Sequence, residues 1–352
     1  MKRLVKIILW IILIVVIIFL GFLAFITATD YRPGPVISLL DSSKKADTIS
    51  ADTLRLISWN IGYAGLGKEM DFFYDGGKKV RPEAEMTRKY LEGIKSFIQS
   101  EDSIDFWLLQ EIDQKAHRSY RINEVEEITQ AANGKSSVFA VNYSVPFVPV
   151  PVYEPMGYVE GGMLTFSNYI PLEATRYAYP LIASWPDRLF LLDRCFILTR
   201  FPLSGGKDLV VINTHNSAYV YDSLLMVQEL EVIKNKMIEE YQAGNYVVAG
   251  GDWNANPPDF VPEGNYNGHR NVDAQVKMSA KTMPSEWIWA VDPSAPTNRN
   301  NDKSFVKGEN GTTQLDYFLV SPNVRVRKVK TIDLNFENSD HNPVFLEIIP
   351  IK

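Results

Sequence analysis

The stretch Tyr246-Val247-Val248-Ala249-Gly250-Gly251-Asp252-Trp253-Asn254-Ala255-Asn256-Pro257 decides how the rest of the chain reads. A short valine-rich run ends in two glycines, then an acid, then an amide two positions later. The run reads as a buried strand, and the glycines let its end approach another group closely. Asp252 and Asn254 stand at i and i+2, so strand geometry carried past the end turns both side chains the same way. Asn254 to Pro257 then turns the chain. An acid and an amide at a strand mouth suit a hard metal ion, or a water held beside a phosphate. A lone Gly-Asp-x-Asn more often only starts a turn, so the functional reading needs partners elsewhere.

Those partners recur along the chain. The apolar run Leu54 to Ile61 delivers Asn60 at its end, and Ile104 to Glu111 ends in an acid. Asp208 to Thr214 leads to His215, Gln314 to Val320 carries Asp316, and Asp340-His341 precede a closing strand from Asn342 to Ile349. Each residue taken singly reads as a cap or turn residue. The repetition argues for one site, because ligands bind where strand ends converge. Histidines are scarce, at four: His117, His215, His269 and His341. His117, six residues past Glu111, reads as a surface histidine in a loop beside the site, and His269 as part of a surface loop.

With 352 residues, 46% of them hydrophobic and 22% charged, the chain has room for a large core. A formal charge of -6 leaves no polybasic footprint for nucleic acid. The one cysteine, Cys195, excludes an internal disulfide and a thiolate metal cage. No motif for a protein partner is evident. Ile7 to Ile26 reads IILWIILIVVIIFLGFLAFI, long enough and apolar enough to cross a bilayer. Lys2, Arg3 and Lys6 precede it, which places the N-terminus in the cytoplasm and the remainder outside it, in a single-pass protein. Ile26-Thr27-Ala28 would serve as a weak cleavage site, but the run exceeds a usual signal-peptide core, which favours an uncleaved anchor.

The expected organisation is therefore an anchor over 1–28, a linker over 29–52 that mixes Pro, Gly, Ser, Asp and Lys, and one catalytic domain over 53–352. Within the domain, Met86, Tyr90, Ile94 and Ile98 are spaced by four and predict a helix from Pro82. A second helix is expected over Ile122 to Asn133, stopping at Gly134, and a third over Asp222 to Gln242, with Met226, Leu230, Ile233, Met237 and Tyr241 on one face and Gly244 as its stop. Val138 to Thr199 turns to β, with Met163 to Phe166 and Phe190 to Leu192 as strand-like pieces. Val145 to Tyr153 reads as an extended apolar loop near a site or a membrane, or as edge cover for the core. Pro257 to Lys303 reads as irregular.

Taken together, Trp59-Asn60, Gln110-Glu111, Asn213-Thr214-His215, Gly251-Asp252-Trp253-Asn254, Leu315-Asp316-Tyr317 and Ser339-Asp340-His341-Asn342-Pro343 resemble, in order, the motifs of the endonuclease/exonuclease/phosphatase superfamily. The resemblance covers nearly all of residues 54–350. It implies an α/β fold, a four-layer sandwich of two packed mixed sheets flanked by helices, here preceded by one transmembrane helix. It also implies a metal-dependent phosphoesterase using Mg²⁺ or Mn²⁺. By this resemblance Glu111 holds the metal with Asn60 and Asp340, and Asp252 orients or deprotonates the attacking water. Asn254 holds phosphate or water, while His215 and His341 donate to phosphoryl oxygens. Asp316 fixes the tautomer of His341. Arg194, before the third motif, matches an arginine of many members, or else forms a structural ion pair. Two positions depart from the pattern: Asn216 follows His215 where many members have leucine, and Gly161 to Ser167 lacks an asparagine often found there. The substrate class stays open among a lipid, a nucleotide and a nucleic acid. The bond cleaved, by metal-assisted in-line attack of water, is a phosphodiester or a phosphomonoester, and the alternatives are a nuclease, a sphingomyelinase-like lipid phosphodiesterase, and a non-catalytic receptor for a phosphorylated ligand.

Overall fold

The computed structural model describes residues 2–40, 45–132, 136–218, 223–261 and 276–351; His269, Gly134 and Asp222 lie outside these. Four α-helices are described: α1 Lys2–Ala28, α2 Ala84–Ser100, α3 Glu124–Ala131 and α4 Ser223–Gln242. The described strands are β1 Val36–Ser38, β2 Leu54–Asn60, β3 Phe106–Asp113, β4 Ser136–Val148, β5 Gly157–Ser167, β6 Glu173–Ala178, β7 Cys195–Pro202, β8 Asp208–His215, β9 Tyr246–Asp252, β10 Ile288–Ala290, β11 Asn298–Arg299, β12 Thr312–Thr313, β13 Asp316–Val320, β14 Val324–Thr331 and β15 Val344–Pro350.

Valine- and isoleucine-rich runs buried on both faces form the centres of two sheets. One sheet has the order β14-β15-β2-β3-β5-β4 and the other β1-β6-β7-β8-β9-β13-β10. Pairs β2/β3 and β8/β9 are parallel while their neighbours are antiparallel, so both sheets are mixed. Leu56, Phe106, Leu108 and Leu346 of the first sheet pack against Phe201, Leu209, Val211, Val248 and Phe318 of the second, forming the central core. On the outer face of the first sheet, Trp107, Leu109 and Phe166 meet Tyr90, Ile94 and Ile98 of α2 and Ile128 of α3. On the outer face of the second, Ile212, Val247 and Leu319 meet Met226, Ile233 and Met237 of α4. The result is the expected four-layer sandwich. Gly244, at φ +87, ends α4 where a side chain would be strained.

Several local expectations change. Phe190 to Leu192 is not a strand; Asp187–Phe190 forms a 3-10 turn, because Pro186 opens a helical turn. Val145 to Val148 belongs to β4, and only the following residues form a loop. The stretch expected to be irregular contains β10 and β11, the second of which lies beside the site. Within 29–52, β1 pairs with β6 and Ile49 is buried in the central core, so this stretch is partly attached to the domain.

Sheet register gathers the polar strand ends. β2, β3, β8 and β9 end at the same edge of the sandwich at which β13 and β15, running the opposite way, begin. Asp252 is paired with both His215 and Asp316, and Val344 with Ser58. The glycines of β9 make this closeness feasible. A Cβ on Gly251 would lie 2.0 Å from the Thr214 carbonyl oxygen, and one on Gly250 would lie 2.3 Å from the Phe318 ring. Gly251→Ala is therefore expected to lower stability by about 1–3 kcal/mol, the usual range for overpacking. A thermal melt would show it as a Tm lower by several degrees, whereas an unchanged Tm would mean that β8 and β9 separate freely.

Candidate active site

Asp252 is at the centre of the polar cluster. Its Oδ2 accepts from Asn60 Nδ2 at 3.0 Å, and its Oδ1 accepts from the Asn254 backbone N–H at 2.9 Å. His215 Nε2 lies 3.6 Å and His341 Nε2 3.8 Å from the same Oδ2. Asn254 does not continue the strand: it has φ +50, and this turn, rather than strand alternation, folds its amide back toward Asp252. The same amide donates to Asn216 O at 2.8 Å, which fixes it to the end of β8.

Glu111 reaches the cluster through a bulge. The register of β3 against β5 shifts between Leu109 and Ile112, and Glu111 itself has φ +52. Bulges re-aim side chains, and here Glu111 Oε1 accepts from Asn60 Nδ2 at 3.1 Å and lies 3.7 Å from His215 Nε2. Asp316 and His341 meet as expected, with Nδ1 2.8 Å from Oδ2. Asp340, buried, accepts from Asn301 Nδ2 at 2.6 Å. All eight residues singled out in the sequence thus lie in one region, at one end of the sheets. Arg194 is half-buried, close enough for its charge to act on His215. His117 is half-buried in the adjoining loop.

The sequence reading missed the supports. Ser339 Oγ donates to Asn60 O at 2.8 Å and accepts from the His341 N–H at 3.1 Å, tying β2 to the last motif. Trp59 Nε1 donates to His341 O at 2.9 Å. Asn298 Nδ2 lies 2.9 Å from His341 Nε2, and Thr297 Oγ1 accepts from the Leu315 and Asp316 N–H groups. Asn298 and Thr297 come from the stretch read as irregular, where no periodicity marks them. Behind the site, Gln110 Nε2 donates to Asn213 Oδ1 at 2.7 Å, joining the two sheets through buried amides.

Burial controls the charges. It pushes Asp252 up to about 6, the Asp316 charge adding and His341 opposing. Burial likewise pushes Asp340 up to about 6, with Glu111 adding to the rise and His341 opposing it. His215 falls well below the usual histidine value through burial, helped by the charges of Arg194 and His341, and is neutral. Burial alone would also lower His341, but the carboxylates of Asp316 and Asp252 overcome it and hold this ring well above the usual value. Burial raises Asp316 too, yet its 2.8 Å contact with a cationic ring favours the ionised form, so the pair is carried as carboxylate and imidazolium. The other ring nitrogen of His341, Nε2, faces Asp252 Oδ2 at 3.8 Å and the Asn298 amide, which also reaches Asp340 O at 3.4 Å. His215 Nδ1 is buried and has no hydrogen-bond partner among the described residues. The separations of 3.6–3.8 Å between the imidazoles and Asp252 exceed a hydrogen bond.

The chain belongs to the Endonuclease/Exonuclease/phosphatase family, whose model matches residues 57–341. Members of this family are hydrolases that act on phosphoester bonds, which makes this chain a phosphoester hydrolase by class. Its fold is similar to that of an endonuclease/exonuclease/phosphatase from Beutenbergia cavernae DSM 12333, 16% identical with TM-score 0.58 over 85% of this chain and 72% of that one. It is similar also to D. rerio TDP2 complexed with single strand DNA product, 15% identical with TM-score 0.52 over 85% and 99%. The human Nocturnin catalytic domain with bound sulfate anion is 17% identical, with TM-score 0.52 over 86% and 97%. No curated protein matches in sequence.

The 2.8 Å contact between Asp316 and His341 makes a definite kinetic prediction. Asp316→Asn removes the carboxylate that keeps His341 charged and oriented, so kcat should fall by about 10²–10⁴-fold, the usual scale of such help. Adding His341→Ala to that variant should cost little beyond His341→Ala alone, because the two act as one unit. Multiplicative losses, with melting temperatures near wild type, would show that they act independently.

Proposed function

We propose that the chain is a membrane-anchored, Mg²⁺-dependent phosphoesterase that hydrolyses a phosphodiester by in-line attack of water. The observation that carries this reading is the position of Asp252, a buried acid hydrogen-bonded to Asn60 and Asn254 and 3.6 and 3.8 Å from the Nε2 atoms of His215 and His341. Asp252 orients the water and takes its proton, and Asn254 holds its own place against both Asp252 and the end of β8. Neutral His215 and cationic His341 donate to the phosphoryl oxygens as charge builds there. Asp316 keeps His341 in that state. Residues 1–28 serve as the anchor with the N-terminus cytoplasmic, 29–52 as the link, and 53–352 as the extracytoplasmic catalytic domain.

Two sets of donors compete for a metal. Ligand atoms of Asp252, Asp316 and His341 all lie within 4.8 Å of one another. In that set, however, Asp316 and His341 Nδ1 are committed to each other, and a nitrogen donor suits Mg²⁺ poorly. Glu111 and Asp340 offer oxygen donors, and lie close enough for one charge to raise the other's pKa; Asn60 would join them through its Oδ1, which here accepts from the Gly62 N–H at 3.0 Å. Neighbouring carboxylates of this kind fit a hard divalent cation, so Asn60, Glu111 and Asp340 would hold it. When bound, Mg²⁺ or Mn²⁺ supplies Lewis-acid polarisation of a phosphoryl oxygen.

Plasmid DNA, single-stranded RNA, sphingomyelin, phosphoinositides and nucleotides, each offered with Mg²⁺ and with EDTA, test the reading; it requires EDTA-sensitive turnover of at least one. Glu111→Gln replaces an anionic oxygen ligand by an amide, so the Mg²⁺ concentration for half-maximal rate should rise while the fold is kept. An unchanged metal titration would move the ion toward Asp252.

A further inference from the structure

The last turns of α1 are clamped to the domain. Phe22 lies edge-on to Phe147 of β4 at 6.0 Å and stacks with Phe190 at 6.2 Å, and Leu23 and Ile26 are buried. Trp185 Nε1 donates to Thr27 Oγ1 at 3.0 Å, and Arg188 pairs with Asp30. The other apolar residues of α1, from Leu4 to Leu20, are exposed. The helix therefore leaves the domain between two loops, the β4–β5 turn after Val148 and the segment between β6 and β7.

These loops carry an apolar surface that the fold does not cover. Val152 is 87% exposed, Tyr153 73% and Trp185 55%, and Val150, Leu181 and Ile182 are exposed as well. Scattered single apolar residues are ordinary, but here six are gathered on two loops that flank one apolar helix. Depth can be read along α1. Phe22 precedes Ile26, the end of the apolar run, by four residues, or about 6 Å of helix rise. Groups that touch Phe22 thus lie about one turn inside the apolar layer, within the depth of about 5–10 Å typical of interfacial segments. Tyr153 and Trp185 are residue types that favour that boundary.

Both loops also lie at the active-site end of the sandwich. Beyond the β4–β5 turn, Gly161 pairs with Asp113, two residues past Glu111. After the second loop, Phe196 pairs with Thr214, next to His215. Tyr143 OH donates to Phe190 O at 3.4 Å, and the Arg118 guanidinium lies between the rings of Tyr143 and Tyr63, the latter three residues after Asn60. These contacts link the second loop, through Phe190, to the rim of the site.

We propose that the two loops are a bilayer footprint: they enter the interfacial layer beside α1 and hold the active-site end of the sandwich against the membrane, so that the phosphoester hydrolysed is one carried at a lipid surface. The partner is the bilayer because both loops adjoin contacts with the last turns of α1, whose remaining apolar length is exposed. The substrate part rests on the phosphoesterase reading above; the footprint does not.

Full-length protein in phosphatidylcholine vesicles tests both parts. An environment-sensitive fluorophore is attached at Val152→Cys, at Ile182→Cys and, as a control, at Gly205→Cys, which lies on the β7–β8 turn at the opposite end. The first two should emit to the blue and be quenched by spin-labelled lipid, and the third should behave as in water. Water-like emission from all three, or failure of the protein to join the vesicles, overturns the footprint. The same measurement in Asp252→Asn should be unchanged, so it reads the footprint without relying on turnover. In a second arm, Val152→Asp with Ile182→Asp should lower the rate on a vesicle-borne phosphodiester by roughly tenfold, because interfacial binding scales with buried apolar area. The rate on a soluble phosphodiester should stay as in wild type. Equal rates on the vesicle-borne substrate overturn the substrate assignment. Absence of turnover of every substrate by wild type, with lipid-quenched labels, would leave the footprint standing and sink the phosphoesterase reading along with the substrate assignment.

Discussion

Two buried amides hold the active end of this molecule together. Gln110 on β3 and Asn213 on β8 belong to different sheets, and they meet at 2.7 Å in the interior. Asn213 Nδ2 also reaches Leu109 O, Leu164 O and Thr165 Oγ1, each at 3.2 Å, so one side chain is tied to two strands of the opposite sheet. A net hydrogen bond contributes only about 1 kcal/mol, but a buried group left without its partner costs about 1–3 kcal/mol. That asymmetry makes a slip between the sheets costly here, whereas the apolar contacts below tolerate sliding more readily. Glu111 follows Gln110 directly and His215 comes two residues after Asn213. Fixing the amides therefore fixes the distance between a candidate metal ligand and a candidate phosphate donor.

Around that joint the fold concentrates charge where water is scarce. Asp252, Asp316 and Asp340 are all buried, and burial raises each of them. Such an arrangement stabilises nothing by itself, and perturbed acids grouped in this way are a feature of functional sites. The two histidines are driven apart by the same surroundings. His341, against two carboxylates, is held charged, while His215 is held neutral by its burial, with the charge of Arg194 adding to the effect. One cationic and one neutral imidazole beside a shared carboxylate form an asymmetric pair, suited to stabilising charge on one side and handling a proton on the other.

The elements legible in the sequence were those with strong local patterns. Tyr90, Ile94 and Ile98 on α2, and Met226, Ile233 and Met237 on α4, announce their buried faces by spacing, and both helices fall within two residues of expectation. The eight polar residues at strand ends were legible because each follows or precedes an apolar run, and because their order resembles a known family. The supports were not. Ser339 lies within a motif but was given no role, and Thr297 and Asn298 went unmarked, because all three act through contacts whose partners lie well away in sequence, and a serine, threonine or asparagine in a loop carries no period. Strand β14 went unread although Val324 to Arg327 alternates apolar and charged residues, because the bulge between Val326 and Lys328 interrupts the period. Those charges are what an edge strand needs to resist pairing with another chain. The turn at Asn254 was misread as continued strand, since positive φ at a non-glycine residue leaves little trace in sequence.

The central claim is that one acid, placed by four strands, directs water at a phosphoester. It is tested most directly by comparing kcat of wild type and Asp252→Asn on a generic phosphodiester at saturating Mg²⁺, with melting temperatures recorded alongside. The account predicts Mg²⁺-dependent turnover by wild type and a loss of about 10²–10⁴-fold in the variant, at a melting temperature no lower than that of wild type. Wild-type turnover by a well-folded Asp252→Asn would contradict it.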